Sequence, residues 1–262
     1  MTRLFNSLIL LFLFSLSYGQ NVLIIHDNGS SNANTLSIAS SLENEGFSVT
    51  ITSVNESSWN NTNPSLSGYN AVIHLNGTTY SSEMPTAGQT ALNDFVEQDG
   101  GLYIGFEWNS YQRFSQNQMT ELDDLILFQR NSGSTGPVTH NIVSGQENHP
   151  LMNGIQNGFS VSDGHNIGTL RSLSNVTLLM KNGSNPLVAV REFGNGHILN
   201  FAMAANYSGL STVLSNSNIQ QIITNAINTY AAKIQLKFYV DVTAYAQSNT
   251  VQSGGIRVAG TF

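Results

Sequence analysis

The sequence predicts an α/β fold, a mostly parallel sheet flanked by helices. Three observations predict it. Short apolar, β-branched runs recur along the first half of the chain, continuous enough to be strands buried on both faces. Segments with helical spacing separate them, and strands alternating with helices pair in parallel. The 262 residues include no cysteine, so no disulfide can hold the chain and a large core must do so.

Asn21–His26 (NVLIIH) is the first strand, broken by Asp27-Asn28-Gly29. Leu36, Ala39 and Leu42 then follow at helical spacing, with Gly46 at the expected stop. Phe47–Thr52 (FSVTIT) alternates as a second strand. Ala71–Leu75 (AVIHL) is the third, ending in Asn76-Gly77. Pro85 opens a helix whose inner face is Leu92, Phe95 and Val96, and Gly100-Gly101 closes it. Leu102–Phe106 (LYIGF) is the next strand.

The middle is less regular. Met119, Leu122, Leu125 and Ile126 predict one helix. Asn131–Gly154, rich in Gly, Ser, Asn and His, reads as loop. Val176–Met180 predicts a strand. Leu187–Glu192 and His197–Met203 flank Phe193-Gly194-Asn195-Gly196, a hairpin turn by composition. Ile219, Ile222, Ile223, Ala226, Ile227 and Tyr230 give the strongest amphipathic helix. Beyond Ala232 the pattern changes. Ile234–Val242 alternates, and Ser253-Gly254-Gly255 precedes Ile256–Phe262. A boundary near Ala232 and an incomplete β module over 233–262 are expected; two strands finishing the first domain is the alternative.

Residues 1–19 read as a secretory signal peptide. Arg3 supplies the positive start, Leu8–Phe14 the apolar stretch, and Ser17 and Gly19 the small residues before a cut at Gln20. The run is shorter than the ~20 residues that a membrane span needs. The expectation is an exported chain with no membrane partner after cleavage. Charged residues make up only 10 % of the sequence, and loss of Arg3 takes the net charge from −7 to −8. Such a surface argues against nucleic acid as a partner. Its Asn, Ser, Thr and Gly suit neutral partners such as carbohydrate.

Four stretches carry a family resemblance: Gly100–Glu107 (GGLYIGFE), His149–Ile155 (HPLMNGI), Phe159–Asp163 (FSVSD) and Pro186–His197 (PLVAVREFGNGH). In this order the chain resembles the ThuA-like (trehalose-utilisation) branch of the class I glutamine amidotransferase-like superfamily, over roughly Asn21–Ala232. The resemblance implies a flavodoxin-like sheet. Lys237–Val242 followed by Ile256–Phe262 resembles the opening of an immunoglobulin-like, starch-binding-type module, which implies further domains of the same chain. Amidotransferases of this fold carry a cysteine at the strand-to-helix elbow and a histidine after the hairpin strand. This chain has Glu107 at the first position and Met203–Asn206 near the second. Thiol-based glutamine hydrolysis needs a thiolate and a neighbouring base, so that chemistry is excluded.

Ligands of open parallel sheets sit beyond the carboxyl ends of the strands. That rule selects Asp27 and Asn28, Asn76 and Gly77, and Glu107, Trp108 and Asn109. Gly105-Phe106-Glu107-Trp108-Asn109 fits an elbow that presents its central side chain at the sheet top. Trp108 and Tyr111 offer ring faces for a sugar. Phe106 and Tyr103 read as core, and His26 and His74 as core or sheet-end residues. His165 lies in the irregular middle, within reach of a ligand there. Glu107 and Asp163 are the candidate catalytic pair, because paired carboxylates are the apparatus of glycoside hydrolysis. The histidine spacings predict no metal site, and no Gly-rich phosphate loop calls for a cofactor. Three functions stay open: a domain binding carbohydrate or a similar polar molecule, a sugar-active enzyme using Glu107 and Asp163, and a structural or adhesive spacer.

Overall fold

The structure is a computed structural model that describes residues 19–206 and 212–231. All of these fall within one unit of the chain, ending at Ala232. The signal peptide expected over 1–19 and the β module expected over 233–262 lie outside the described residues, apart from Gly19.

Five strands form a parallel half-sheet: β1 (Asn21–Ile25), β2 (Ser48–Ile51), β3 (Ala71–His74), β4 (Leu102–Gly105) and β11 (Gly196–Phe201). Their order is β2-β1-β3-β4-β11. Helices α1 (Ala33–Asn44), α2 (Thr86–Glu97), α3 (Glu107–Ser115) and α4 (Ser217–Tyr230) accompany them. This is the α/β fold that the alternation predicts. The four central strands β1, β3, β4 and β11 are almost wholly buried, which is why they read as continuous apolar runs.

The sheet continues as an antiparallel wing. β10 (Asn185–Phe193) pairs with β11, then come β9 (Val176–Asn182), β6 (Pro137–Ile142) and β7 (Phe159–Ser162). The expected β10–β11 hairpin forms, with Gly194 at φ 58°. An added Cβ at Gly194 would lie 2.2 Å from the Glu97 carbonyl oxygen, so the turn packs on the end of α2 and admits only glycine.

Side-chain caps fix two helix starts. Asn32 accepts from the amides of Asn34 and Thr35, and Asn216 from those of Asn218 and Ile219. The inner faces of α2 and α4 are the predicted ones: Leu92, Phe95 and Val96, then Ile219, Ile222, Ile223, Ala226 and Ile227.

Three expectations are corrected. Leu36 is 43 % exposed; α1 turns Thr35, Ile38, Ala39 and Leu42 inward instead. The stretch Met119–Ile126 is a 3-10 segment, Thr120–Leu125, entered from Met119 in the left-handed region (φ 53°). Asn131–Gly154 is not loop: it holds most of β5 (Phe128–Ser134), all of β6 and the turn Pro150–Met152. β5 pairs with β8 (His165–Leu170) as a separate antiparallel ribbon.

Candidate functional site

The β5–β8 ribbon creates the site. Its register sets Ser134 opposite His165 and Gly133 opposite Asn166. The ribbon is stitched to the chain leaving β11. Asn166 N donates to Ala202 O at 2.7 Å, Ala204 N donates to Gly164 O at 2.8 Å, and His165 bridges Met203. On the other side Glu107 N donates to Met203 O at 2.9 Å, which ties the β4–α3 turn to the same segment. Between the ribbon and that turn lies a cavity of about 360 Å³, walled by Glu107 and Trp108 on one side and by Arg130, Ser134, Thr135 and His165 on the other.

Glu107 and Arg130 meet across it. Arg130 Nε donates to Glu107 Oε1 at 2.5 Å. Arg130 Nη1 reaches Ser115 Oγ at 3.1 Å, and its guanidinium lies over the Tyr111 ring at 4.8 Å. Glu107 is 3 % exposed, and this burial pushes its pKa up against the opposing pull of Arg130. The first turn of α3 also favours a negative charge. The elbow itself is relaxed: Phe106 has φ −126° and ψ 179°, and neither it nor Glu107 has positive φ. The strained turn of a nucleophile elbow is absent at this position.

The predicted site residues divide. Glu107, Trp108 and His165 line the cavity. Trp108 is a wall rather than an open platform: Tyr80 stacks on it at 4.7 Å and Tyr111 meets it edge-on at 5.2 Å. Tyr111 does not line the cavity; it holds Arg130 in place. Asp163 is not in the lining, and its Oδ1 accepts from Gly164 N at 2.6 Å. Glu107 and Asp163 are therefore not brought onto one wall. The sequence reading missed Arg130. One signal was available: the chain has only nine Lys and Arg, so each cationic residue is a candidate worth weighing.

Of the other predicted residues, Asn76 and Asn109 belong to a sealed polar chain under the carboxyl ends of β1, β3 and β4. His74 Nε2 lies 3.3 Å from Glu56 Oε1, both side chains having no exposure. His74 Nδ1 bonds Tyr103 Oη at 2.7 Å, and Asn109 Nδ2 donates to the same hydroxyl at 2.7 Å. Asn76 Nδ2 donates to Asn109 Oδ1 and to Gln112 Oε1, at 2.7 and 2.6 Å. Tyr103 Oη thus joins His74 Nδ1 to Asn109, and His74 Nε2 faces Glu56. Burial raises the Glu56 pKa, opposed mainly by His74, and raises that of Tyr103 well above its usual value.

Asp27 is held beside this chain. It accepts from Asn206 Nδ2 and Thr78 N, both at 2.8 Å; burial nevertheless raises its pKa. Gly77 is required by close packing, since an added Cβ would sit 2.0 Å from the Ala205 carbonyl oxygen. Asn28 is exposed and outside the cavity lining. His26, at the end of β1, accepts from Gly29 N through Nδ1 at 3.1 Å. Among the described residues no three His, Asp or Glu gather to hold a metal, and no helix is long and apolar enough to cross a membrane.

No family model matches the sequence, and no curated protein matches it. Solved structures do. A putative ThuA-like protein from Parabacteroides merdae shares 15 % identity over 84 % of this chain and 92 % of its own, with a TM-score of 0.58. Another, from Bacteroides uniformis, shares 16 % identity over 82 % and 94 %, with a TM-score of 0.55. The fold is ThuA-like. A cytoplasmic protein of Salmonella typhimurium aligns over 82 % of this chain and 100 % of its own, at 15 % identity and a TM-score of 0.58. At such identities the ThuA-like likeness concerns the fold alone, and function has to be argued from the cavity.

Proposed function

We propose that this ThuA-like domain binds a small polyhydroxylated molecule, a carbohydrate or a close relative, between Glu107 and Arg130. One observation carries the reading: an almost buried carboxylate–guanidinium pair forms the wall of a cavity large enough for one sugar ring. The volume is at the low end of small-molecule sites, which span about 300–1,000 Å³. A carboxylate accepts from two neighbouring hydroxyls while a guanidinium donates to their oxygens, so the pair suits a vicinal diol. Ser134, Thr135 and His165 add hydrogen-bonding groups on the facing wall.

Binding is favoured over hydrolysis. Glycosidases of the usual kind need two carboxylates flanking the scissile bond, and of the candidate pair only Glu107 lines the cavity. The proposal keeps the chain exported, cut before Gln20, and followed by a starch-binding-type module beginning in 233–262. The N-terminal sequence of the protein recovered from its natural source tests the first of these, and retention of Met1 refutes it.

The binding test is a thermal-shift screen of the full chain against neutral mono- and disaccharides. A saturable rise in Tm that Glu107→Gln diminishes is expected, since ligand binding stabilises by mass action. A panel in which no sugar moves Tm overturns the reading.

A further inference from the structure

The motif His149–Ile155 plays no part in the Glu107 cavity, yet it builds a second one. A cleft of about 540 Å³ lies between the Pro150–Met152 turn and the last turns of α4. It sits at the other end of the sheet. The His197 ring, at the start of β11, stacks on Tyr230 at the end of α4 at 4.0 Å, whereas the Glu107 cavity lies beyond the carboxyl end of β11.

The cleft has a fixed floor and a free rim. Asn225 is held three ways: its Nδ2 donates to Leu151 O at 3.1 Å and Asn153 O at 2.8 Å, and its Oδ1 accepts from Gln221 Nε2 at 2.9 Å. His149 Nδ1 accepts from Leu151 N at 3.2 Å. A neutral His149 with that nitrogen accepting carries its proton on Nε2, the remaining polar atom of the ring. Burial lowers the His149 pKa and so favours the neutral ring. Around this floor stand Asn148, Asn153, Asn228 and Thr229, whose side chains make no hydrogen bond among the described residues.

The lining selects a class of ligand. It contains no Lys or Arg, so no cationic side chain is there to neutralise an anion. It contains one carboxylate, Glu147, whose Oε2 already accepts from Gly145 N at 2.8 Å. One carboxylate is too few for a cation site built from oxygen ligands. Pro150 is its one apolar side chain, which disfavours an apolar guest. The rest are carboxamides, a hydroxyl and an imidazole N–H. Each carboxamide offers donors and an acceptor side by side, and a hydroxyl group uses both. We propose that the Asn148–Asn153–Asn228 cleft is a second binding site, for a neutral saccharide, independent of the Glu107 cavity.

The test is amide NMR on the ¹⁵N-labelled full chain. The probes are glucose, galactose and maltotriose, with glucuronate and glucosamine as charged counterparts. Backbone amides of Ser134 and Thr135 report the first cavity; side-chain amides of Asn148, Asn153 and Asn228 report the cleft. At least one neutral probe is expected to shift the cleft amides saturably at millimolar concentration. Asn228→Ala, an exposed change that leaves the backbone spectrum intact, is expected to weaken that response at least tenfold. The proposal falls if no neutral probe moves the cleft amides, if glucuronate moves them as strongly, or if Asn228→Ala keeps the affinity.

Discussion

Two buried glutamates in this molecule face basic partners, and they behave as opposites. Glu56 and His74 are sealed beneath the sheet end with no exposure, and their polar chain runs on through Tyr103, Asn109 and Asn76. Glu107 and Arg130 are 3 % and 16 % exposed and form the wall of a cavity. Burial raises the pKa of both carboxylates. The difference is access. A sealed pair organises strands, whereas a pair on a cavity wall can exchange its partner for a ligand. The carboxylates themselves do not tell the two apart; the β5–β8 ribbon does, because it supplies Arg130 and leaves space beneath it.

The largest expected effect falls on the sealed side. His74→Ala strands Glu56 with its main opposing partner gone, and breaking such a buried pair costs about 3–5 kcal/mol. Urea unfolding at pH 7 measures it, and a loss under about 1 kcal/mol would show that the chain is not structural. The same change should leave sugar binding unaltered in the fraction that remains folded.

The next effect is in acid. His140 is fully buried, stacks on Phe159 at 4.6 Å, and has its pKa pushed down to about 4, chiefly by burial. The sign follows from linkage. A group that is neutral in the fold and has a lowered pKa contributes its full stability above pH 6.5, and loses it as pH falls toward 4. The contribution is up to roughly 3 kcal/mol. Stability measured from pH 7 to 4 should therefore fall less steeply in His140→Gln than in the native chain. Parallel slopes would refute the burial argument. Glu56, Glu107 and Asp27 have the opposite sign. Their raised pKa values give stability below the usual carboxylate range that is lost as pH rises through each folded value.

The smallest effects on stability, and the sharpest on binding, belong to the open pair. Arg130→Ala leaves Glu107 with a buried unmatched oxygen and should cost about 1–3 kcal/mol. Glu107→Gln keeps a hydrogen bond to Arg130 without the buried charge and should change stability by less than about 1 kcal/mol. Both should weaken sugar affinity tenfold or more by calorimetry. Equal affinity in Glu107→Gln and the native chain would move the ligand away from this cavity.

The parallel half of the fold was legible because its strands carry continuous apolar runs and its helices carry a clear inner face. α1 shows the limit of that signal. Leu36 matches the helical spacing yet faces solvent, since Thr35 and Ile38 fill the inward positions of the same turns. The β5–β8 ribbon carried no such signal. Its residues alternate weakly and only Phe128 and Asn166 are buried, so its composition resembles loop. Arg130 and the walls of the cavity were hidden with it. Glu56 was hidden for another reason: it sits in a short turn between strands, and only the packing of that turn under β3 brings it to His74.

The sequence by itself determined the α/β alternation, the glycine hairpin, the position of Glu107 at a strand end and the absence of thiol chemistry. These depend on periodicity, turn residues and residue type, which are local. Tertiary structure decided which polar residues share a space. It set Glu107 against Arg130, covered Trp108 with Tyr80 and sealed Asn76 and Asn109 below the surface. Such meetings join residues that are distant in the chain. They follow from the register between strands and from the path of the ribbon, which no local pattern encodes.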